Sequence, residues 1–126
     1  MNKPRGFTLI EVMVALAVFA VIASSVVLVN TRAISNAALL ENRLFGLWVA
    51  ENKMAELRIS GAPPINEYEN EVSNFGREWV VRWTVEDAES ADYGAYVRRV
   101  TVRSFLAQGD ELSDVASIVA LIQVPL

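Results

Sequence analysis

The residues best suited to chemistry, by their identity and position, lie at the amino terminus, and packing alone does not explain them. Gly6-Phe7 separates a short basic leader from an apolar run, and Glu11 lies four residues beyond Phe7. If the chain is cut between Gly6 and Phe7, the new α-amino group of Phe7 lies one helical turn from the Glu11 carboxylate. An amine and a carboxylate at this spacing can form an ion pair, within one chain or between two. These residues therefore predict recognition at a processed amino terminus.

Glu11 is the only charged residue in the apolar run, which extends to Val29. A helix of about 23 residues spans roughly 35 Å, enough to cross the hydrocarbon layer of a membrane. A carboxylate in such a helix costs on the order of 2.5–3.5 kcal/mol at its centre and less near an end. A compensating partner is therefore expected. The Phe7 amine is the natural one, and the unpaired N–H groups of the first helical turn add to its effect.

Two plainer interpretations of this segment compete with a processed, partner-binding terminus. A secretory signal peptide has an apolar core of about 7–15 residues and a cut site of small residues, and Ala23-Ser24-Ser25 is a weak match. The apolar run here is longer, and Glu11 would lie inside it without a partner. A plain single-pass anchor would contain the same carboxylate only by coincidence.

The composition excludes several classes of function. Histidine and cysteine are absent, which removes disulfides, thiol chemistry and the commonest general base and metal ligand. The formal net charge is −4 without a Lys/Arg cluster, which disfavours binding to nucleic acid. We therefore predict a protein that is not an enzyme and has no cofactor or metal. Lys3 and Arg5 precede the apolar run, which is compatible with a cytoplasmic amino terminus.

A single long helix is predicted from residue 8 to residue 59, roughly 78 Å in length. The part beyond the apolar run is rich in Ala, Leu, Glu, Asn and Arg, with apolar residues mostly three or four apart. We expect its Leu44, Leu47 and Trp48 side to pack on a sheet. Gly46 costs about 1 kcal/mol relative to Ala in a helix, and close approach of another segment would explain it.

Three strands are predicted after the helix, at residues 78–85, 97–105 and 115–124. The first two alternate between apolar and polar residues, so one face of each strand is expected to lie on a core. The third is apolar on both faces and is predicted to be an interior strand. An acidic connection at 86–95 and a tight turn at 108–110 would join the three strands into an antiparallel meander.

These elements predict an α+β fold. A long amino-terminal helix, embedded in the membrane in its first half, packs its second half on a small antiparallel sheet. About 60 residues of sheet alone would make a marginal core, so the distal helix must cover it. The expected segments are a leader at 1–6, a transmembrane or filament-core helix at 7–29, the other half of the helix at 30–60 and a sheet domain at 61–126. Gly and Pro residues at 61–64 end the helix.

Two sets of charged side chains are interpreted as solvated surface. The carboxylates at 67–71 and 87–92 lack the spacing of an EF-hand calcium loop, and both segments are predicted to be loops. Four arginines are predicted on the outward face of the sheet, where they could also bind an acidic neighbour. They are Arg77, Arg82, Arg99 and Arg103.

The chain resembles a known family at two places. Gly6-Phe7-Thr8-Leu9-Ile10-Glu11 is similar to the type IV prepilin signature G-F-T-L-I/L-E, which pilins and the pseudopilins of type II secretion share. Further along, the chain resembles the W-x-A-x-N-x-x-x-E-L pattern of the type II secretion minor pseudopilin I family (GspI). The positions of that pattern are filled by Trp48, Ala50, Asn52, Glu56 and Leu57. The apolar run also lacks the proline usual in major subunits, which favours a minor one.

The resemblance implies a pilin-like fold and a role without catalysis. A prepilin peptidase and methyltransferase would cut between Gly6 and Phe7 and methylate the Phe7 amine, and Glu11 would pair with that amine on an adjoining subunit. The implied partners are the minor pseudopilins of the J, K and H classes and the major pseudopilin G. The protein would span the bacterial inner membrane once, with its carboxyl-terminal domain in the periplasm. It would belong to the pseudopilus tip complex that initiates assembly for protein export across the outer membrane.

Two other functions remain open. A minor pilin of a type IV pilus or competence system would share the leader and the helix. A single-pass protein whose outer domain binds a ligand independently would also share the apolar run, but it would not need Glu11.

Overall fold

One helix and four strands make up the regular structure in a computed structural model that describes residues 3–88 and 96–125. They are α1 (Leu9–Ser60), β1 (Glu67–Asn74), β2 (Arg77–Asp87), β3 (Val97–Gln108) and β4 (Glu111–Gln123). The strands form one antiparallel sheet in the order β1-β2-β3-β4. The predicted α+β fold, a long amino-terminal helix on an antiparallel sheet, is confirmed. By its contacts the chain divides into two compact units, Met1–Leu39 and Leu40–Leu126.

Helix α1 agrees with the predicted helix to within one residue at each end. At its start, the Val12 N–H donates to the Thr8 carbonyl, so Thr8 is the N-cap residue. At its end, Gly61 has a φ of 83°, the left-handed conformation that commonly follows the last helical residue. Pro63 and Pro64 come next and cannot continue the helix.

The core of the second unit lies between α1 and one face of the sheet. The alternation predicted for β2 and β3 is confirmed, because Val81, Val85, Val100 and Val102 are each at most 1% exposed. Trp79 is fully buried beside them. The residues that α1 contributes to the same cluster are Val49, Ala50, Met54 and Leu57.

The face of α1 that meets the sheet is not the predicted one. Leu44 and Trp48 are 47% and 48% exposed, and of the three predicted residues only Leu47 is half-buried. A Cβ at Gly46 would lie 2.4 Å from Val115 Cγ1, so the side of the helix that carries this glycine lies close against the sheet. The close approach expected for Gly46 is thus confirmed. The same contact turns the Leu44 and Trp48 side away from the core.

The segment predicted as an acidic loop at 67–71 is instead part of strand β1. β1 and β2 form a hairpin whose two loop residues, Phe75 and Gly76, have φ values of 55° and 68°. Two positive φ values in a two-residue loop define a type I′ turn, whose twist matches that of the paired strands. Tyr68 and Val72 pack against the core from the inner face of β1, while its glutamates stay exposed.

Strand β4, predicted as an interior strand, is an edge of the sheet. Its inner face packs on the core through Ile118, Ala120 and Ile122. On its outer face, Val119 and Leu121 are 60% and 63% exposed. The prediction was wrong because apolar residues on both faces of a strand report on what covers those faces and not on which strands flank its edges.

A bulge interrupts the pairing of β3 with β4. The two strands are joined by the predicted tight turn, which the pair Gln108 and Glu111 closes. Their register shifts between Ser104 and Phe105, which leaves Val115 as an extra residue in β4. The bulge places Val115 against α1, at the glycine described above.

Arg77 lies on the inner side of the sheet and not on its outward face as predicted. Its guanidinium donates to Asn42 Oδ1 of α1 at 2.5 Å and lies 3.5 Å from the Glu41 carboxylate. The position follows from the alternation of β2, since Arg77 is two residues from the buried Trp79. The other three arginines occupy outward-facing positions in β2 and β3, as predicted.

Candidate functional site

The Gly6-Phe7 junction lies before the first turn of α1 and is open to solvent. Residues 3–8 have no regular secondary structure, and the Phe7 side chain is 90% exposed. A Cβ added to Gly6 would have no neighbour within 4 Å among the described residues. The peptide bond is therefore exposed, and packing within the described residues does not require glycine at position 6.

Thr8 and Glu11 cap α1 reciprocally. Glu11 Oε2 accepts hydrogen bonds from the Thr8 backbone N–H at 2.8 Å and from the Thr8 hydroxyl at 3.1 Å. The Glu11 backbone N–H donates in turn to Thr8 Oγ1 at 3.3 Å. This is a capping box, in which the N-cap and N3 side chains satisfy each other's backbone donors. It holds the Glu11 carboxylate beside the residue that directly follows Phe7.

The contribution of Thr8 was not predicted. The side-chain partner predicted for Glu11, the Phe7 amine, exists only after cleavage, whereas Thr8 supplies a partner in the uncut chain. The signal was readable, since Thr-x-x-Glu before an apolar run is the pattern of a capping box. The bonds engage only Oε2, and Glu11 Oε1 has no partner within residues 3–88 and 96–125. That second oxygen is available to an amine.

The first unit also contains a helical stretch apolar enough to cross a membrane. Its most apolar 18-residue window has a mean hydropathy of 2.9, and none of that window is buried. The hydroxyls of Ser24, Ser25 and Thr31 donate to carbonyls four residues earlier, at 2.7, 2.9 and 3.0 Å. The helix therefore satisfies these polar groups itself, as an apolar environment requires. Ala23-Ser24-Ser25, the weak match to a signal cleavage site, lies inside continuous helix.

Three aromatic rings cluster at the β1–β2 turn. Phe45 and Phe75 stack with centroids 4.6 Å apart and planes 6° from parallel, and the Trp48 ring lies 5.6 Å from Phe75. The Arg77 guanidinium carbon is 5.0 Å from the Phe45 ring centroid, a cation–π distance. Trp48, which belongs to the family-like pattern, thus packs on this turn instead of in the core.

A recess of about 180 Å³ opens between α1 and β1 and bears on the ligand-binding alternative. Its polar lining includes Asn52, Lys53, Glu56 and Asn70. Lys53 Nζ lies 2.9 Å from Glu56 Oε2, so the two charges in the lining neutralise each other. The recess therefore offers amide groups without an unpaired charge, and it lends no support to independent ligand binding.

Two arginines on the outward face of the sheet, Arg82 and Arg103, have carboxylate partners in the same sheet. Arg82 lies 2.6 Å from Glu69 and 3.3 Å from Glu67. The hydrogen bond to Glu69 is the main cause that raises the pKa of Arg82 above its ordinary value. Arg103 pairs with Asp114 of β4. An acidic neighbour would therefore compete with partners that these arginines already have.

No group of three or more metal-binding side chains occurs within the described residues. The acidic segment at 67–71 is extended strand, which spreads its glutamates along an exposed face. Glu86 and Asp87, predicted as the start of an acidic loop, are the last two residues of β2. The rest of the acidic run predicted at 87–92 and of the connection predicted at 86–95 lies beyond Ala88, outside the described residues.

Comparison with known proteins adds two family matches and a set of relatives. Residues 40–123 match the family model described as type II secretion system (T2SS), protein I, and residues 1–27 match the prokaryotic N-terminal methylation motif. Type II secretion system protein I of Pseudomonas aeruginosa is 39% identical over 103 residues, which cover 81% of this chain and 77% of the relative. The protein of the same name from Pectobacterium carotovorum is 35% identical over 104 residues, or 82% and 84% of the two chains. That from Dickeya chrysanthemi is 33% identical over 102 residues, or 80% of each.

Proposed function

We propose a place at the pseudopilus tip for this chain, which belongs to the type II secretion system protein I family and is a minor pseudopilin of that system. The observation that carries the proposal is the family match over residues 40–123, because it takes in the sheet and the part of α1 that packs on it. The chain would assemble with minor pseudopilins of the J, K and H classes and with the major pseudopilin G. It would cap the filament and help to initiate its assembly for export.

The proposed topology is a single span of the inner membrane. The amino terminus would be cytoplasmic, because Lys3 and Arg5 lie immediately before the apolar stretch. The second unit would then lie in the periplasm. The apolar window of α1 and the match of residues 1–27 to the methylation motif support a membrane-anchored component of the secretion system.

The leader would be removed by a prepilin peptidase between Gly6 and Phe7, and the new Phe7 amine would then be methylated. Cleavage converts the amide nitrogen of Phe7 into an amine that is protonated at neutral pH, and methylation keeps that charge. The exposure of the junction supports this step.

Glu11 would then direct docking by pairing with the Phe7 amine of an adjoining subunit. The capping box holds Glu11 Oε2 in place and leaves Oε1 for the amine. Within an apolar assembly the low dielectric strengthens such a pair and makes an unpaired carboxylate costly. The proposal therefore assigns Glu11 two tasks, to cap the helix and to recognise a neighbour.

Substitution of Glu11 by Gln and by Leu separates these two tasks. The glutamine side chain of Glu11→Gln would keep an oxygen that can accept the capping bonds, because Glu and Gln both occur at N3 of capping boxes, but it carries no charge. With both variants at native expression, we expect normal membrane insertion and leader removal but a loss of secretion. Secretion measured at the wild-type level for Glu11→Leu would count against docking and favour an independent outer domain. Normal secretion for Glu11→Gln alone would assign Glu11 to capping only.

Co-purification tests the tip assignment against the type IV pilin alternative. The full-length chain would be produced with J- and K-class pseudopilins, or with type IV minor pilins, and the complex mass measured in detergent. A stable assembly with the J and K classes is expected. Association with type IV minor pilins alone would move the chain to that system, which its relatives do not favour.

A further inference from the structure

The two edges of the sheet are protected very differently. Exposed strand edges invite pairing with other chains, and proteins usually guard them with charged residues or proline. The β1 edge has three exposed glutamates at alternating positions, Glu67, Glu69 and Glu71. The β4 edge has no charged residue and no proline between Val115 and Val124. The charges on the β1 edge disfavour pairing with another strand, whereas the β4 edge has no such protection between Val115 and Val124.

Two hydrogen bonds show which backbone groups of β4 point away from the sheet. The Val124 N–H donates to the Tyr96 carbonyl on the β3 side at 2.8 Å, whereas the Gln123 carbonyl accepts from the Ala62 N–H at 2.9 Å. Antiparallel residues alternate between facing their partner and facing outward. Counting back from Gln123 in steps of two, Leu121, Val119 and Ser117 direct their N–H and C=O groups outward.

These outward groups form an open row. Within residues 3–88 and 96–125, no strand pairs with β4 on that side, and only Ala62 bonds to the row at its end. The side chains of Val119 and Leu121 are exposed and uncharged. A row of alternating donors and acceptors with apolar side chains is complementary to an extended polypeptide strand, and neither a helix nor lipid can satisfy those groups.

We propose that β4 residues 117–121 bind an extended strand of a neighbouring pseudopilin subunit, which adds a fifth strand to the sheet. The proposal rests on the function proposed above and names a contact surface for it. The partner strand is expected to carry apolar side chains on the outward face, to pack on Val119 and Leu121. Arg99 and Arg103 of β3 lie directly opposite Leu121 and Ser117, so a basic partner strand would be disfavoured.

The open row is too short to hold a second copy of this chain by itself, which favours a different pseudopilin already placed beside it. Five residues of strand are only about 17 Å long. Such an edge by itself falls well short of the roughly 800 Å² per partner that a stable interface buries. The strand must therefore come from a protein that other contacts already hold beside this one, as in a filament.

A photocrosslinking amino acid at position 121, in the full-length chain within cells that make the complete secretion machinery, tests this contact. The matched variants are Val119→Pro and Glu71→Pro. Each removes one outward N–H from an edge strand, a place where proline is tolerated, but on opposite edges. Asn66, directly before β1, faces β2, because its carbonyl accepts from the Val85 N–H. Facing alternates along the chain and Glu71 is five residues further on, so the Glu71 N–H points outward.

We expect a crosslink from position 121 to a strand segment of another pseudopilin. Loss of one backbone bond and intrusion of the ring should lower its yield about fivefold or more in Val119→Pro. Glu71→Pro should leave the yield unchanged, and a crosslinker placed at position 71 should capture no pseudopilin. The comparison between crosslinkers at positions 121 and 71 uses no proline variant. It therefore remains valid even if Val119→Pro lowers the amount of protein.

Three results would overturn the proposal. They are a crosslink to a second copy of this chain, a crosslink to lipid only, and a yield that Val119→Pro leaves at the wild-type level. Failure of the proposed function would look different. The unmodified chain would then retain its leader or be absent from the complex with other pseudopilins, whereas failure of the edge contact alone would leave both unaffected.

Discussion

The hydroxyl of Ser104 donates a 2.7 Å hydrogen bond to the backbone carbonyl of Gly46, which joins the middle of β3 to α1. Ser104 is fully buried, and this bond satisfies the only polar group of its side chain. The contact is possible because Gly46 has no Cβ, since one would lie 3.1 Å from Ser104 Oγ and 2.4 Å from Val115 Cγ1. A helix-weakening residue therefore marks the place where helix and sheet meet.

Replacement of Gly46 by Ala should destabilise the second unit. Alanine gains up to about 1 kcal/mol of helix propensity, but overpacking against Val115 costs about 1–3 kcal/mol, so a net loss is expected. Urea unfolding of the full-length chain in detergent, followed by tryptophan fluorescence, measures the difference. The double variant Gly46→Ala with Val115→Ala removes the nearest clashing atom and should recover part of the loss. A gain in stability for the single variant would mean that the approach is looser than described.

At position 75, in the β1–β2 turn, glycine should give a more stable protein than alanine, the reverse of the usual order. Phe75 has a φ of 55°, a conformation that costs a residue with a Cβ about 1 kcal/mol and glycine very little. Both Phe75→Ala and Phe75→Gly lose the stack on Phe45, but only the glycine variant also releases the backbone strain. Phe75→Gly is therefore expected to be the more stable of the two by about 1 kcal/mol in the same unfolding experiment. Equal stability would exclude a left-handed conformation at this turn.

Loss of the Thr8 hydroxyl should loosen the first turn of α1. Thr8→Val removes the acceptor for the Glu11 N–H and one donor to its carboxylate, and loss of an N-cap costs about 0.5–2 kcal/mol. Thr8→Ser keeps both bonds and is the matched control. Amide exchange of residues 9–12 in micelles should be faster in Thr8→Val than in Thr8→Ser. Equal protection in the two variants would show that the cap is dispensable.

Gly6→Ala should affect processing without affecting folding. The space around Gly6 is open among the described residues, so an added Cβ meets nothing in this chain. Any loss of leader removal must then arise in the peptidase site, which would have to accommodate the extra carbon. We expect slower cleavage in membranes and an unchanged unfolding midpoint for the second unit. A shift of that midpoint would be the contradictory result, since it would place Gly6 in a packing role.

The sequence determined the elements whose signals are local. The apolar run with Glu11, the unbroken helix to Ser60 and the alternation of β2 and β3 are each patterns within a few neighbouring residues. The residues that match the two family patterns could also be recognised from the sequence, because a motif depends only on residue types and their spacing. The Thr-x-x-Glu pattern of the capping box at Thr8 is a local signal of the same kind.

Only the tertiary structure decided the features that depend on distant partners. The glutamates of β1 were predicted to lie in a loop. They are strand because a type I′ turn, with Phe75 in a left-handed conformation, lets this segment pair with β2. The side of α1 that is buried follows from where Gly46 meets the bulge at Val115. The position of β4 at the edge follows from the order of all four strands. The physical reason is common to all three, since a residue's own pattern specifies its local conformation, whereas burial and edge position are set by segments far away in the chain.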